Sequence, residues 1–256
     1  MRELNPLKPF VGKSLSKLFF FFEKKGNVIC LKKGDIVLVE FTGTDASTNK
    51  VFDTTDEKTA KENGLYRENG IFKPIPIVIG SGELIRGLEE ELEKMGEGEV
   101  KKLAIPAEKA FGARRKELVF VVSLQEFKKR NINPFPGLVV QLNNGYGKVQ
   151  SVSGGRVRID MNSDLAGKTV EYHIKIAGVL KAPAEKAEAL AKKFFPLKDK
   201  KVEVKLSADE LEVNLPSGLP KEFQIIKDAF AEFVTQHVPE IKKVKFVEEA
   251  SKEEKK

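Results

Sequence analysis

The sequence predicts an α+β protein: a sheet domain interrupted by a small β-rich module, then a third, smaller α-β-β-α-β unit. Three observations predict it. Leu84, Leu88, Leu92 and Met95 stand at i, i+4, i+8 and i+11, one face of a 3.6-residue period. From Ala113 the chain changes to short β-like runs between turn signals, and long alternation returns only at Thr169–Ile176. After Ala182-Pro183-Ala184 a helical run, two alternating runs, a long amphipathic run and a last β-like run follow in order.

Taken along the chain, Ile36 to Phe41 is rich in β-formers and reads as a buried strand after the turn Lys33-Gly34-Asp35. Thr42 to Asn49 reads as a turn, and Val51-Phe52-Asp53 as a short second strand. Asp56 to Asn63 is helix-forming and closed by Gly64. Ile77 to Ile79 is a strand, and residues 83–96 form the clearest helix, with Gly96 as its C-cap. Glu99 to Ile105 alternates until Pro106 stops it. In the interrupting module, strands are expected at Leu118–Val122, Val139–Leu142, Gly147–Val152 and Arg156–Asp160, with Gln125–Ile132 as a helical turn. Asn143-Asn144-Gly145 and Ser153-Gly154-Gly155 are the hairpin turns. Val170, Tyr172, Ile174 and Ile176 then share one face of a strand. In the last unit, helices are expected at Glu185–Phe195 and Lys221–His237, and strands at Val202–Leu206, Leu211–Leu215 and Val244–Val247.

Composition excludes several function classes. In 256 residues, 41% are hydrophobic and eighteen are Phe, enough for a packed core, so wholesale disorder is excluded. Cys30 is the single cysteine, so neither an internal disulfide nor a cysteine zinc site can form, and a reducing, cytoplasmic location is expected. No apolar run approaches the roughly 20 residues of a membrane span. The net charge is +7, but +4 of it sits in residues 1–30 and the remainder mixes both signs, which argues against a nucleic-acid partner. Residues 1–30, with Leu18-Phe19-Phe20-Phe21-Phe22, lack the apolar length and cleavage site of a signal peptide. They are read as a disordered extension or a start assigned too early, translation beginning near Val28 or Leu31.

Lys73-Pro74-Ile75-Pro76-Ile77-Val78-Ile79-Gly80, followed by Leu84-Ile85-Arg86-Gly87-Leu88-Glu89, resembles the signature of FKBP-type peptidyl-prolyl cis-trans isomerases. Val51-Phe52-Asp53-Thr54-Thr55 resembles the family's Phe-Asp-Ser/Thr motif, and Ala110-Phe111-Gly112 its aromatic-Gly loop. The block Asp160 to Thr169 resembles the return segment of long, SlyD-like members, in which a second domain is inserted in the flap. Thr59 to Tyr66 is similar to the helical bulge of archaeal members. The resemblance spans about residues 31–182. It implies an antiparallel half-barrel sheet wrapped on one helix for residues 31–112 plus 165–182, an insert-in-flap chaperone domain at 113–164, a C-terminal α+β domain at 183–247 and a charged tail at 248–256.

The activity implied is rotation about Xaa-Pro bonds of unfolded or nascent polypeptides, without cofactor or metal. By the same resemblance, Phe41, Phe52, Asp53, Ile85, Phe111 and Tyr172 are the catalytic residues, with Ile75, Leu84 and Leu88 binding substrate. The Ile85 N–H is expected to hold the carbonyl before the proline, Tyr172 to form a wall and Asp53 to order the rim. Phe41, Ile75, Leu88 and Phe111 stand where many members carry Tyr, Phe, Trp and Tyr, which implies an active but reshaped pocket with weak affinity for macrolide inhibitors. In the insert, Phe120, Val122, Phe127, Ile132, Phe135 and Leu138, with Pro136 and Val140, are candidates for holding unfolded chains, or else for the module's own core.

The competing reading is a holdase or adaptor that keeps the fold without catalysis, supported by the departures at Ile75 and Leu88. A role with RNA rests only on the basic leader. In the C-terminal unit, Phe223, Ile226, Phe230, Phe233 and Val234 form one helical face, open to two readings: that unit's own core or the seam of a homodimer.

Overall fold

A computed structural model describes residues 31–68, 70–142, 145–197, 202–221 and 223–249. The expected leader at 1–30, Asn143 and Asn144 of the expected turn, and residues 250–256 of the tail lie outside the described residues. In chain order the elements are β1 (Ile36–Asp45), β2 (Val51–Thr54), α1 (Glu57–Glu62), β3 (Ile75–Val78), α2 (Arg86–Leu92) and β4 (Val100–Ile105). Then come β5 (Val119–Ser123), α3 (Leu124–Lys129), β6 (Val139–Leu142), β7 (Gly145–Ser153), β8 (Arg156–Asp160) and β9 (Val170–Leu180). The last are α4 (Pro183–Phe194), β10 (Glu203–Ser207), β11 (Glu210–Pro216), α5 (Phe223–His237) and β12 (Lys243–Glu249).

The main sheet is antiparallel, in the order β2-β1-β9-β4, and β3 shares β1's outer edge with β2. β3 pairs with the first half of β1, Ile36 to Val39, and β2 with the second, Thr42 to Thr44. β9 buries Val170, Tyr172, Ile174 and Ile176 on one face, as its alternation predicts, against Leu88, Leu92 and Met95 of the α2 region. The helix lies close: a Cβ on Gly87 would collide with Ile105 Cγ2 on β4.

The inserted module is a second sheet, β5-β8-β7-β6, with Phe127, Val140, Val149, Val157 and Ile159 as its core. Asp160 ties its end to the returning chain. It accepts from Gln150 Nε2 (2.7 Å), Asn162 N (2.9 Å) and Asn162 Nδ2 (2.7 Å), and it pairs with Arg114. The third sheet, β10-β11-β12, is antiparallel between β10 and β11 and parallel between β11 and β12, which α5 connects. Its core of Leu190, Phe195, Leu211, Phe230 and Val234 continues into Ile36 and Val78 of the main sheet, both fully buried. The first and third sheets therefore share apolar packing.

Three expectations are corrected, and one question the sequence left open, the role of the α5 face, is answered. The helix expected over 83–96 is confined to α2, because Glu83 turns back to accept from Val78 N and Ser81 Oγ instead of opening a helical turn. At the other end Lys94 and Met95 bond only three residues back, to Glu91 and Leu92. β1 runs on through Thr42–Asp45, read as a turn, because β9 pairs with it as far as Asp45↔Val170. The charged tail begins later than expected: Glu248 and Glu249 belong to β12, and Glu248 accepts from the buried Lys227 at 2.6 Å. The apolar face of α5 is occupied by its own unit: Phe230 and Val234 are fully buried, with Phe223, Ile226 and Phe233 packed beside them. That face is not a free dimer seam.

Candidate functional site

Four separated segments converge at the open side of the α2 region. β1 brings Phe41, β2 brings Phe52, the loop after β4 brings Phe111, and β9 brings Tyr172. The Phe52 ring meets Phe111 edge-on at 5.8 Å between centroids and 86°, and Tyr172 edge-on at 5.7 Å and 82°. Phe41 lies 6.0 Å from Tyr172. These are the tilted geometries aromatic quadrupoles favour. Ile75, Leu84 and Ile85 are partly buried against the same apolar cluster, and Leu88 is buried within it. Every apolar residue assigned to the site from sequence lies in this cluster.

Backbone arrangement explains the convergence. Phe41 is fixed by Thr55, whose N–H donates to Phe41 O and whose Oγ1 accepts from Phe41 N, both at 2.9 Å. Thr54 and Thr55 are buried, so the two residues after Phe52-Asp53 tie the β2 end to β1. Ile85 is the N-cap of α2 with an extended backbone; its carbonyl accepts from Leu88 N at 2.9 Å and Glu89 N at 3.2 Å. Among the described residues its own N–H donates to no protein acceptor, which leaves a polar donor beside the apolar cluster.

Sequence reasoning missed Gly43. A Cβ there would lie 2.7 Å from Phe52 Cζ and 2.9 Å from Tyr172 Cε1, so only a residue without a side chain lets the two rings meet above β1. No signal marked it, because Thr42 to Asn49 reads as a turn, where a glycine is ordinary.

Asp53 is exposed at the rim, and partial desolvation pushes its carboxyl above the ordinary aspartate range, against the opposing pull of the Thr54 N–H and Arg67. Tyr172 is driven strongly upward by burial and, secondarily, by the negative charge of Asp53, so its phenol stays protonated through neutral pH. The phenol thus stands on the β9 wall, while the β1 wall carries the plain ring of Phe41.

The insert candidates divide. Phe127 and Val140 are buried in the module's core, the second of the two readings, and both still line the groove beside it: α3 folds Phe127 inward. Val122 and Leu138 are partly buried against them. Phe120, Ile132 and Phe135 are exposed, joined by Val121, Val139 and Tyr146, which the sequence reading did not single out. Val122, Phe127, Ile132 and Leu138 line one apolar groove of about 440 Å³ beside edge strand β6; Phe120 and Phe135 lie outside it. A larger hollow, about 1040 Å³, lies elsewhere, between Tyr66, Phe72 and the α4–β10 region, and Glu and Lys side chains line much of it.

Comparison with known proteins places the chain among described families. The model of the FKBP-type peptidyl-prolyl cis-trans isomerases matches residues 29–125. Those described as FKBP26, IF domain and as FKBP26 C-terminal match 121–165 and 183–251. None of the three spans β9, which the structure nonetheless sets at the centre of the first sheet. The short-type peptidyl-prolyl cis-trans isomerase of Methanocaldococcus jannaschii is 35% identical over 155 residues, 60% of this chain and 98% of that protein. The FKBP-type isomerase SlyD of Aeromonas hydrophila is 30% identical over 152 residues, 59% of this chain and 65% of its own length. An FKBP-type 16 kDa isomerase of Escherichia coli is 25% identical over 151 residues, 57% of this chain and 91% of that protein.

Proposed function

This chain belongs to the FKBP-type peptidyl-prolyl cis-trans isomerase family, and we propose that the aromatic cleft between β1, β2, α2 and β9 is where it turns the Xaa-Pro bond. The uncatalysed rotation faces a barrier of about 18–20 kcal/mol, because resonance gives the amide partial double-bond character. That resonance also makes the planar amide polar, and the twisted transition state has lost much of the polarity. A dry cleft walled by Phe52, Phe111 and Tyr172 therefore favours the twisted state over the planar one, which is the differential binding catalysis needs. Proline sits against these rings and Leu88, and Ile75 and Leu84 flank it. The Ile85 N–H donates to the carbonyl before the proline, and Asp53 orders polar contacts at the rim. No bond to carbon breaks, so the residues bind and orient without a nucleophile or general base.

The observation that carries this reading is the meeting of Phe52, Ile85, Phe111 and Tyr172, from four separate segments, in one apolar cluster. The intact cleft favours catalysis over the holdase reading. The groove beside β6 is assigned to unfolded chains: an extended segment adds a strand to that edge and sets alternate side chains into the apolar lining. The clients are proline-containing unfolded or nascent polypeptides. Its single cysteine suits the reducing cytoplasm, and no helix among the described residues is long and apolar enough to cross a membrane. Association of two copies through the C-terminal unit would use a surface other than the buried face of α5.

Protease-free isomerisation of an Xaa-Pro peptide, beside proline-limited refolding of an unfolded protein, tests both parts. The wild type is expected to accelerate both. Paired substitution Ile132→Ser and Val139→Ser is expected to spare the peptide reaction and depress the refolding one. Inactivity on the peptide refutes the cleft assignment; equal loss on both substrates refutes the role of the groove.

A further inference from the structure

β3 is an edge strand. Its inward groups pair with β1, and the outward ones belong to Pro76 and Val78. Proline suits such a position, since no neighbouring strand requires its missing N–H. The outward groups are satisfied by side chains instead. Val78 N donates to Glu83 Oε2 at 3.3 Å, and Ser81 Oγ donates to the same oxygen at 3.2 Å. Pro76 O accepts from Lys193 Nζ at 2.9 Å. Lys193 lies on α4, in the C-terminal unit, and its ammonium also pairs with Glu83 Oε1. Both side chains are about three-quarters shielded, 24% and 21% exposed, so water screens this pair less than an ordinary surface pair.

The contact falls at a consequential place. Pro76 follows Ile75, and Glu83 precedes Leu84 and Ile85, so one ammonium ties both ends of the β3–α2 connection. Ile36 and Val78, buried against α4 residues Leu190 and Ala191, hold the helix to this edge from the apolar side. We propose that Lys193 is a positioning residue for the isomerase site: acting through Glu83 and the Pro76 carbonyl, it sets the orientation of the Ile85 N–H and of the Ile75–Leu84 wall. The C-terminal unit is then part of the catalytic apparatus without touching substrate. This inference rests on the cleft assignment above.

The test uses the full-length chain and an Xaa-Pro peptide too short to need the insert, with kcat and KM determined separately and thermal unfolding followed in parallel. Lys193→Met is expected to lower kcat/KM about five- to tenfold, chiefly through KM, since it loosens the donor that grips the substrate carbonyl. Glu83→Gln is expected to do the same, and the double variant to lose less than the product of the two single losses, because the ion pair is a contact they share. Lys193→Arg, which keeps the charge, is expected to recover activity to within about twofold of wild type. A Lys193→Met protein with unchanged kcat/KM overturns this inference and leaves the cleft standing; so do losses that multiply in the double variant. Activity that falls only in step with the fraction unfolded, with no rescue by arginine, reduces the contact to a structural brace and also overturns it. An inactive wild type overturns the cleft assignment itself.

Discussion

Replacing Gly43 with alanine is the sharpest perturbation the site offers, because the added methyl presses on two of the rings proposed to hold proline while removing neither. Gly43 lies in β1 with a backbone any residue can adopt, so the substitution carries no φ penalty. The new Cβ would sit 2.7 Å from Phe52 Cζ and 2.9 Å from Tyr172 Cε1, both atoms of rigid rings held by their neighbours. The Phe52 ring must retreat by about 0.7 Å to regain an ordinary contact of 3.4 Å. Overpacking of this kind costs about 1–3 kcal/mol, and loss of glycine's backbone freedom returns about 0.5–1 kcal/mol. The net destabilisation is therefore about 0–2.5 kcal/mol, modest for a chain of this size. The effect on catalysis is larger, since displacing a reaction wall by about 1 Å can cost on the order of a hundredfold. Peptide isomerisation by G43A should fall at least about tenfold while the protein remains folded. Gly178→Ala is the control: it lies on β9 of the same sheet, its nearest neighbours stand 3.9 Å away, and it should behave as wild type. If folded G43A keeps wild-type kcat/KM, proline does not sit against Phe52 and Tyr172.

Two further outcomes follow from contacts outside the cleft. Asp45 is buried; Lys168 Nζ at 2.7 Å, Ser47 Oγ at 2.6 Å and Ser47 N hold its carboxyl well below the ordinary 3.8. A depressed carboxylate contributes stability that is complete above the unfolded-state pKa and is lost as pH falls toward the folded-state value. D45N should thus unfold at lower urea than wild type at neutral pH, with the gap closing below about pH 3.8; a gap constant into acid would remove the ionic origin. Truncation after Lys181 should bare Ile36 and Val78, both fully buried by the C-terminal unit, and lower the thermal midpoint of the first sheet. Sedimentation of the same pair of chains tests association through that unit, and an unchanged midpoint would mean the shared packing contributes nothing.

Much of the site was legible because it is written in local motifs. Phe52-Asp53-Thr54-Thr55, Leu84-Ile85-Arg86-Gly87-Leu88 and Ala110-Phe111-Gly112 each keep their spacing, and the alternation of Val170 to Ile176 marked the strand that carries Tyr172. What escaped depends on which distant segments meet. Gly43 shows nothing in sequence of the two rings above it, and Lys193 is one lysine among many until the fold sets it 110 residues away at Glu83. The insert was half-readable for a related reason. Strand alternation sorts neither Phe127, which α3 turns into the core, nor Phe135, which stands bare in the loop before β6. The extension of β1 through turn-forming residues was hidden because pairing with β9 outweighs local preference there.

The partnership of β1 with β9 has a bearing on how the chain emerges during synthesis. Val37 must wait for Val179, and Asp45 for Val170, so the first sheet cannot close until the whole of β5 to β8 has been translated. The inserted sheet pairs only within residues 119–160 and can assemble while its host is still open-ended. The apolar groove beside β6 can thus form while β1, already able to pair with β2 and β3 on one edge, still waits for β9 on the other.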